Sequence, residues 1–190
     1  KGQIDGRAID LNYREFLFSE GKPYSYKVLA KLTGDQDLRE ALGIDLSDFL
    51  DGPASVEVEY TKRNDGSAIV DIKSDITQAR FFLTPFDYEK PVGAVANATL
   101  KAHLQNDKLI KISDLKVSAP DAELQPSSLA FRTKAGETEL SAGRVSAFRV
   151  GETQGAIDFE ITPTGLLKLK MTGAFLDLRP FLKDDGQAKD

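Results

Sequence analysis

With 190 residues, 41% of them apolar and 29% charged, the chain is long enough to bury a real core and is not of disordered composition. A formal net charge of −5, with Lys and Arg scattered mostly one at a time, argues against nucleic acid, which needs a clustered positive surface. Cysteine is absent, which excludes disulfides, thiolate metal sites and cysteine nucleophiles from this segment.

No run of about 18 apolar residues offers a membrane-spanning helix. No basic start followed by an apolar stretch marks a signal peptide. The opening Lys1-Gly2-Gln3-Ile4-Asp5-Gly6 reads as the middle of a strand. The expectation is an excised piece of a longer protein, with targeting and anchoring segments outside it.

Gly6-Arg7-Ala8-Ile9-Asp10-Leu11, running on to Phe16-Leu17, reads as an apolar dipeptide, a capping Asp and a helical turn carrying Phe-Leu. Asp35 can cap a short helix in which Leu38, Ala41 and Leu42 share one face and which Gly43 ends. Ser47 to Leu50 offers one more turn before Gly52-Pro53. Beyond this point the period changes from helical to two. Val56, Val58 and Tyr60 alternate with Glu57, Glu59 and Thr61, and Asn64-Asp65-Gly66-Ser67 supplies turn chemistry, its Asp-Gly suited to positive φ. The return through Ala68, Val70 and Ile72, against Asp71 and Lys73, completes the clearest hairpin in the chain.

Phe81, Phe82, Phe86 and Tyr88 form the densest apolar patch, read first as core and second as a lipid- or partner-facing surface. The longest alternation sets Ala94, Ala96, Ala98, Leu100, Ala102 and Leu104 against Asn97, Thr99, Lys101 and His103. Gln105-Asn106-Asp107-Lys108 turns it into a strand over 109–117. On that strand Ile110 and Ile112 fall out of phase with Leu115 and Val117, which predicts a bulge or break near Ser113-Asp114. Further strands are expected over 123–133, 137–150, 155–161 and 166–175. The last two are joined by Thr162-Pro163-Thr164-Gly165, with Asp158 and Glu160 facing Lys168 and Lys170.

The opening phrase recurs. Gly173-Ala174-Phe175-Leu176-Asp177-Leu178 leads to Phe181-Leu182, and Gly43-Ile44-Asp45-Leu46 to Phe49-Leu50 is a shorter echo. The end-to-end match suggests that residues 1–20 are the tail of a preceding repeat, 21–182 one β-rich module and 183–190 a flexible tail. Units of this kind stack on neighbours because they cannot close their apolar faces alone.

No catalytic constellation is visible. Acid–base and nucleophilic catalysis use positioned His, Cys or buried carboxylates, and the single histidine, His103, falls on the polar face of its strand. Glu57, Glu59, Asp71, Asp158 and Glu160 alternate with apolar residues, as a solvated strand face requires. A glycosidase-type carboxylate pair is the remaining enzymatic alternative. Glycines stand singly in turns and form no phosphate loop. The chain is read as non-enzymatic, with no cofactor and no metal. What asks for an explanation is the apolar side: many one-sided strands, and one convincing helix to cover them.

Several phrases resemble the AsmA-like proteins of the bacterial envelope, kin of TamB and YhdP. They are Arg39-Glu40-Ala41-Leu42-Gly43-Ile44-Asp45-Leu46, then Asp51-Gly52-Pro53-Ala54 opening a strand, and Asp75-Ile76-Thr77-Gln78-Ala79. Tyr88-Glu89-Lys90-Pro91-Val92-Gly93 and the closing Leu176-Asp177-Leu178-Arg179 belong with them, and together they cover roughly residues 30–182. No single motif is sharp, and the order and spacing carry the likeness.

The resemblance implies an extended, twisted antiparallel sheet curled into a trough, or a sandwich-like module, with one or two short helices. It implies a periplasmic module of an inner-membrane-anchored protein, involved in phospholipid transport between inner and outer membranes, outer-membrane biogenesis and envelope integrity. The implied partners are phospholipid acyl chains in an apolar β-groove, neighbouring β modules of the same protein and an envelope protein. Candidate lipid-contacting residues are Val56, Val58, Tyr60, Val70, Ile72, Phe81, Leu83, Ala98, Leu100, Leu169 and Met171. The alternative is a β-sandwich interaction module that docks a protein partner through a sheet edge or the aromatic patch.

Overall fold

The structure is a computed structural model that describes residues 2–4, 7–18, 20–41, 46–134 and 136–177. Its main element is one open antiparallel sheet of eleven strands, not closed into a barrel. In spatial order these are β1 (Gly2–Ile4), β2 (Arg7–Glu15), β3 (Tyr26–Gly34), β5 (Ala54–Lys62) and β6 (Ser67–Asp75). There follow β9 (Asn97–Gln105), β10 (Lys108–Ala119), β11 (Ala122–Lys134), β12 (Glu137–Val150), β13 (Thr153–Ile161) and β14 (Leu167–Phe175). A second sheet of three short strands holds β4 (Leu50–Asp51), β7 (Arg80–Leu83) and β8 (Tyr88–Lys90). Strand makes up 68% of the described residues and helix 4%, so the mostly β, antiparallel class holds.

Local chemistry explains the connections. In the 63–66 turn only Gly66 takes a positive φ, +80°. Asp65 contributes through its side chain instead, its carboxylate accepting the Ser67 amide at 2.9 Å. Asn106 and Asp107 both adopt positive φ, 49° and 63°, and form the two-residue turn that matches strand twist. The phase conflict in β10 resolves as expected: its register with β9 shifts between Ser113 and Lys116, and Asp114 sits at φ 55°. After it, Leu115 and Val117 return to the face of Ile112, which pairs with Ala102 and Leu129.

Two expectations need correction. Residues 7–15 form no capped helical turn but a strand. Ile9, Leu11 and Tyr13 alternate with Asp10, Asn12 and Arg14, and β2 pairs along β3 from Ile9↔Leu32 to Glu15↔Tyr26. Period two and cross-strand pairing outweigh a lone Asp. The long alternation begins as a strand at Asn97, not Ala94, because Lys90 and Thr77 hold residues 91–96 in a tight connection (below). Ser47 to Leu50 makes the expected turn before Gly52-Pro53, closed by the Leu50 amide on Leu46 O, and Leu50 then enters β4. The Gly43 helix stop, the echo at 43–45 and the segment beyond 177 lie outside the described residues.

The helix α1 (Gln36–Ala41) is short but fixed at both ends of its turn. Asp35 Oδ1 accepts the Leu38 amide at 3.2 Å, the cap read from sequence. Leu38 is buried against Gly34, where a Cβ would come within 2.9 Å of its Cδ2. Arg39 donates to the carbonyls of Gly52 (3.0 Å) and Leu50 (3.2 Å), tying the helix to the small sheet.

Candidate functional site: a two-faced sheet with one covered end

Register assigns the two faces of the large sheet. Residues paired across antiparallel strands lie on the same side. Following Tyr13↔Val28, Val28↔Tyr60, Tyr60↔Val70 and Val70↔Ala102 across β2, β3, β5, β6 and β9 stays on one face. The next row, Leu11↔Ala30↔Val58↔Ile72↔Leu100, keeps to it as well. On the far half, Ile112↔Leu129↔Gly143↔Phe159↔Leu169 continues it, beside Val145↔Ile157↔Met171. The apolar face is therefore continuous from β2 to β14.

The opposite face is charged and paired. Every carboxylate read from sequence as a solvated strand residue meets a cation of a neighbouring strand. These pairs are Glu57–Lys31 (2.5 Å), Glu59–Lys27 (2.7 Å), Asp71–Lys101 (3.5 Å), Asp158–Arg144 (2.6 Å) and Glu160–Lys168 (3.6 Å). The Lys31 ammonium, bonded to Glu57, holds that carboxyl below its ordinary range, and Glu57 in turn raises Lys31. Exposed pairs of this kind are screened by water, so they set register and solubility more than stability. His103 lies on this face and bonds Ser113 Oγ through Nε2 at 2.8 Å. Among the described residues no cluster of His, Asp or Glu could hold a metal ion, and no helix is long and apolar enough to cross a membrane.

The small sheet covers one end of the apolar face. Its inner side presents Leu50, Phe81, Leu83, Tyr88 and Lys90, and its outer side carries Asp51, Arg80, Phe82 and Glu89, as the register Leu50↔Phe81↔Lys90 requires. Leu50 and Phe81 pack with Ala54, Val56, Ile76, Ala79 and Ala96. Leu83, Phe86 and Tyr88 pack with Ala122, Phe148 and Val150, and the Phe86 and Phe148 rings stand 5.7 Å apart. Of the aromatic patch read from sequence, Phe81 and Tyr88 meet edge-to-face at 6.1 Å, a core role, while Phe82 stands on the outer side.

Lys90 pins this cover. It is 1% exposed, and its ammonium donates to the carbonyls of Thr77 (3.1 Å), Pro91 (2.9 Å) and Ala94 (3.0 Å). Burial lowers its pKa, partly opposed by Asp75. Three carbonyls compensate a buried cation, the arrangement a desolvated ammonium needs. The Gly93 amide also donates to Thr77 O (2.8 Å), so the Lys-Pro-x-Gly phrase closes the connection from small sheet to large. From sequence the phrase reads as the step that introduces the long alternating strand, and the part its lysine plays is not visible there. A lone Lys before Pro carries no pattern that distinguishes three buried hydrogen bonds from a solvated side chain.

Of the sequence-derived candidates, Val56, Val58, Tyr60, Val70, Ile72, Ala98, Leu100, Leu169 and Met171 share the apolar face of the large sheet. Phe81 and Leu83 stand instead on the small sheet that covers it. Away from that cover the face has no second layer among the described residues. Leu11, Tyr13, Leu167 and Leu169 are half exposed or more, at 50%, 52%, 56% and 60%. The face was legible as alternation, but one row of rings across it was not: Tyr26 and Tyr60 stack with centroids 5.7 Å apart, and Tyr13 stands tilted against Tyr26 at 5.8 Å. Scattered tyrosines meet only once register is known.

Searches against family models, curated proteins and solved structures return no match for the chain.

Proposed function

We propose that the chain is a non-enzymatic module that holds lipid acyl chains against the apolar face of its large sheet. The observation that carries this reading is that face itself: continuous from β2 to β14 and, among the described residues, covered at one end only. A soluble fold rarely leaves so large an apolar patch facing water, and an apolar occupant relieves it. The ion-paired opposite face suits an aqueous compartment. The phrases shared with AsmA-like proteins support the finer assignment: a periplasmic length of an inner-membrane-anchored protein that carries phospholipid between the two membranes of the envelope.

Native mass spectrometry of the purified chain is expected to retain phospholipid. Photo-crosslinking side chains placed at Val58 or Leu100 are expected to capture it, while one placed at Glu57, on the other face, is not. A lipid-free protein with no labelling from Val58 or Leu100 overturns the reading. A second reading rests on β14, whose outer edge has no partner strand among the described residues: a protein partner adds a strand there. Co-purification of a protein with no lipid favours that alternative.

A further inference from the structure

The two ends of the apolar face differ in the polar groups they offer, and this gives a bound amphiphile a direction. We propose, resting on the lipid-holding reading above, that the occupant is a long-chain amphiphile with an anionic head, its head at Lys62 and the Tyr26–Tyr60 pair and its chain directed under the small sheet.

At the covered end, Lys90 and Tyr88, the long polar side chains on the inner side of the small sheet, are already engaged, and Ser74 stands on the large sheet beside Val56. Lys90 spends its ammonium on three backbone carbonyls, and the Tyr88 hydroxyl donates to Pro120 O at 2.5 Å. The rest of that end is Leu50, Phe81, Leu83, Phe86 and Phe148. An anionic head placed there would be desolvated with no free cation on that side, among the described residues, to compensate it.

The opposite strand ends are different. Tyr26 pairs directly with Lys62, and Lys62 with Ala68, which places the Lys62 side chain on the apolar face at its edge. Its side chain is 18% exposed, and among the described residues its ion-pair partner is Asp107, at 2.7 Å, in the β9–β10 turn. Asp107 is 78% exposed and can return to water when another anion takes its place. Beside Lys62, the stacked Tyr26 and Tyr60 rings offer an apolar body with a hydroxyl at the rim, the arrangement aromatic side chains adopt where an apolar phase meets water. The Tyr60 phenol is hydrogen-bonded with Tyr26, and burial, then that bond, pushes its pKa up to about 12. From Lys62 to Val56, beside Phe81, the strand runs about 20 Å, comparable with an extended palmitoyl chain.

Two palmitate probes test the direction, one with a diazirine near the carboxylate and one near the methyl end. After irradiation, peptides are mapped by mass spectrometry. The carboxylate-end probe is expected to label 60–68 over 80–90 by about tenfold, and the methyl-end probe the reverse, since a head at the covered end is desolvated. In Lys62→Gln, labelling of 60–68 by the carboxylate-end probe should drop severalfold, while methyl-end labelling at 80–90 persists and shows that the fold and the apolar site survive. Reversed or indiscriminate labelling, or no response to Lys62→Gln, overturns the direction and leaves the lipid-holding reading standing. Absence of labelling by both probes overturns that reading, and the direction with it.

Discussion

At one end of the strands, Phe148 and Val150 are 7% and 8% exposed beneath the small sheet; at the other, Leu167 and Leu169, on the same face, are 56% and 60% exposed. The alternation of apolar and polar residues is equally clean in both regions. What differs is cover. Periodicity reports which way a side chain points, and only tertiary structure reports whether anything lies over it. The covered end behaves as a conventional core with a stability role. The open end keeps the same pattern without that role, so its apolar residues can be altered at little cost to folding.

The largest expected effect tests this contrast directly. Phe148→Ala removes a buried ring that packs on Phe86, and should lower unfolding free energy by about 3–4 kcal/mol. Leu169→Ala, 60% exposed before substitution, should stay within about 0.5 kcal/mol of the parent. Urea unfolding monitored by circular dichroism measures both. Equal losses at the two sites would mean that the open end is packed after all. A double substitution at Leu100 and Ile72 to Ser should then separate folding from lipid retention, reducing retained lipid more than it shifts the urea midpoint.

Lys90→Met ranks next. It keeps the side-chain volume but leaves the Pro91 and Ala94 carbonyls without the ammonium, and Thr77 O with only the Gly93 amide. The expected loss is about 1–3 kcal/mol. Because the defect lies in the cover, amide hydrogen exchange should rise first at 77–96 and not at the open end. Uniform acceleration across β2 to β14 would break the idea that the cover is a separate unit.

How much was legible follows from the same contrast. The hairpin of β5 and β6, the 106–107 turn, the bulge at Asp114 and the four strands from 122 to 175 could all be read, because each rests on local chemistry or period two. β2 was mistaken for a helical turn because Asp10 looks like a cap and its pairing with β3 is not visible locally. The small sheet was seen only as an aromatic patch, since β4 has two residues and its partner β7 lies about thirty residues away. Nine of the eleven candidate residues share one face, because alternation alone places them there. The tyrosine row and the role of Lys90 needed register and burial.

Gly143 offers a smaller test within the open face. A Cβ there would approach the Phe159 ring to 2.2 Å, so the ring lies over the glycine and covers its backbone. Gly143→Ala should displace Phe159 and cost about 1–2 kcal/mol. In Phe159→Leu the same Ala should cost less, because the ring clash is gone and the contact with Leu129 Cδ2, 2.9 Å, is the tight one left. An unchanged cost in the double variant would assign the effect to the backbone of β12 instead.

The smallest effect belongs to Tyr60, and its sign can be worked out. Burial first, then the hydrogen bond with Tyr26, pushes the Tyr60 pKa from 10.0 up to about 12. Between those values the unfolded chain releases this proton and the folded chain keeps it. The folded state then binds more protons, so stability falls as pH rises from 10 to 12 and the contribution is fully present below 10. Tyr13 and Tyr88 are raised as well, Tyr13 mainly by its bond to Glu15 and Tyr88 by burial, so the alkaline decline has several contributors. Near-ultraviolet titration of the folded protein should show a late tyrosinate step near pH 12 that disappears in Tyr60→Phe. The variant's stability should also fall less steeply above pH 10. An amphiphile held as proposed lies against this phenol and excludes water from it, so bound palmitate should move the late step higher still. A late step that survives in Tyr60→Phe would place the shielded phenol elsewhere, and one that palmitate leaves in place would remove the head from Tyr60.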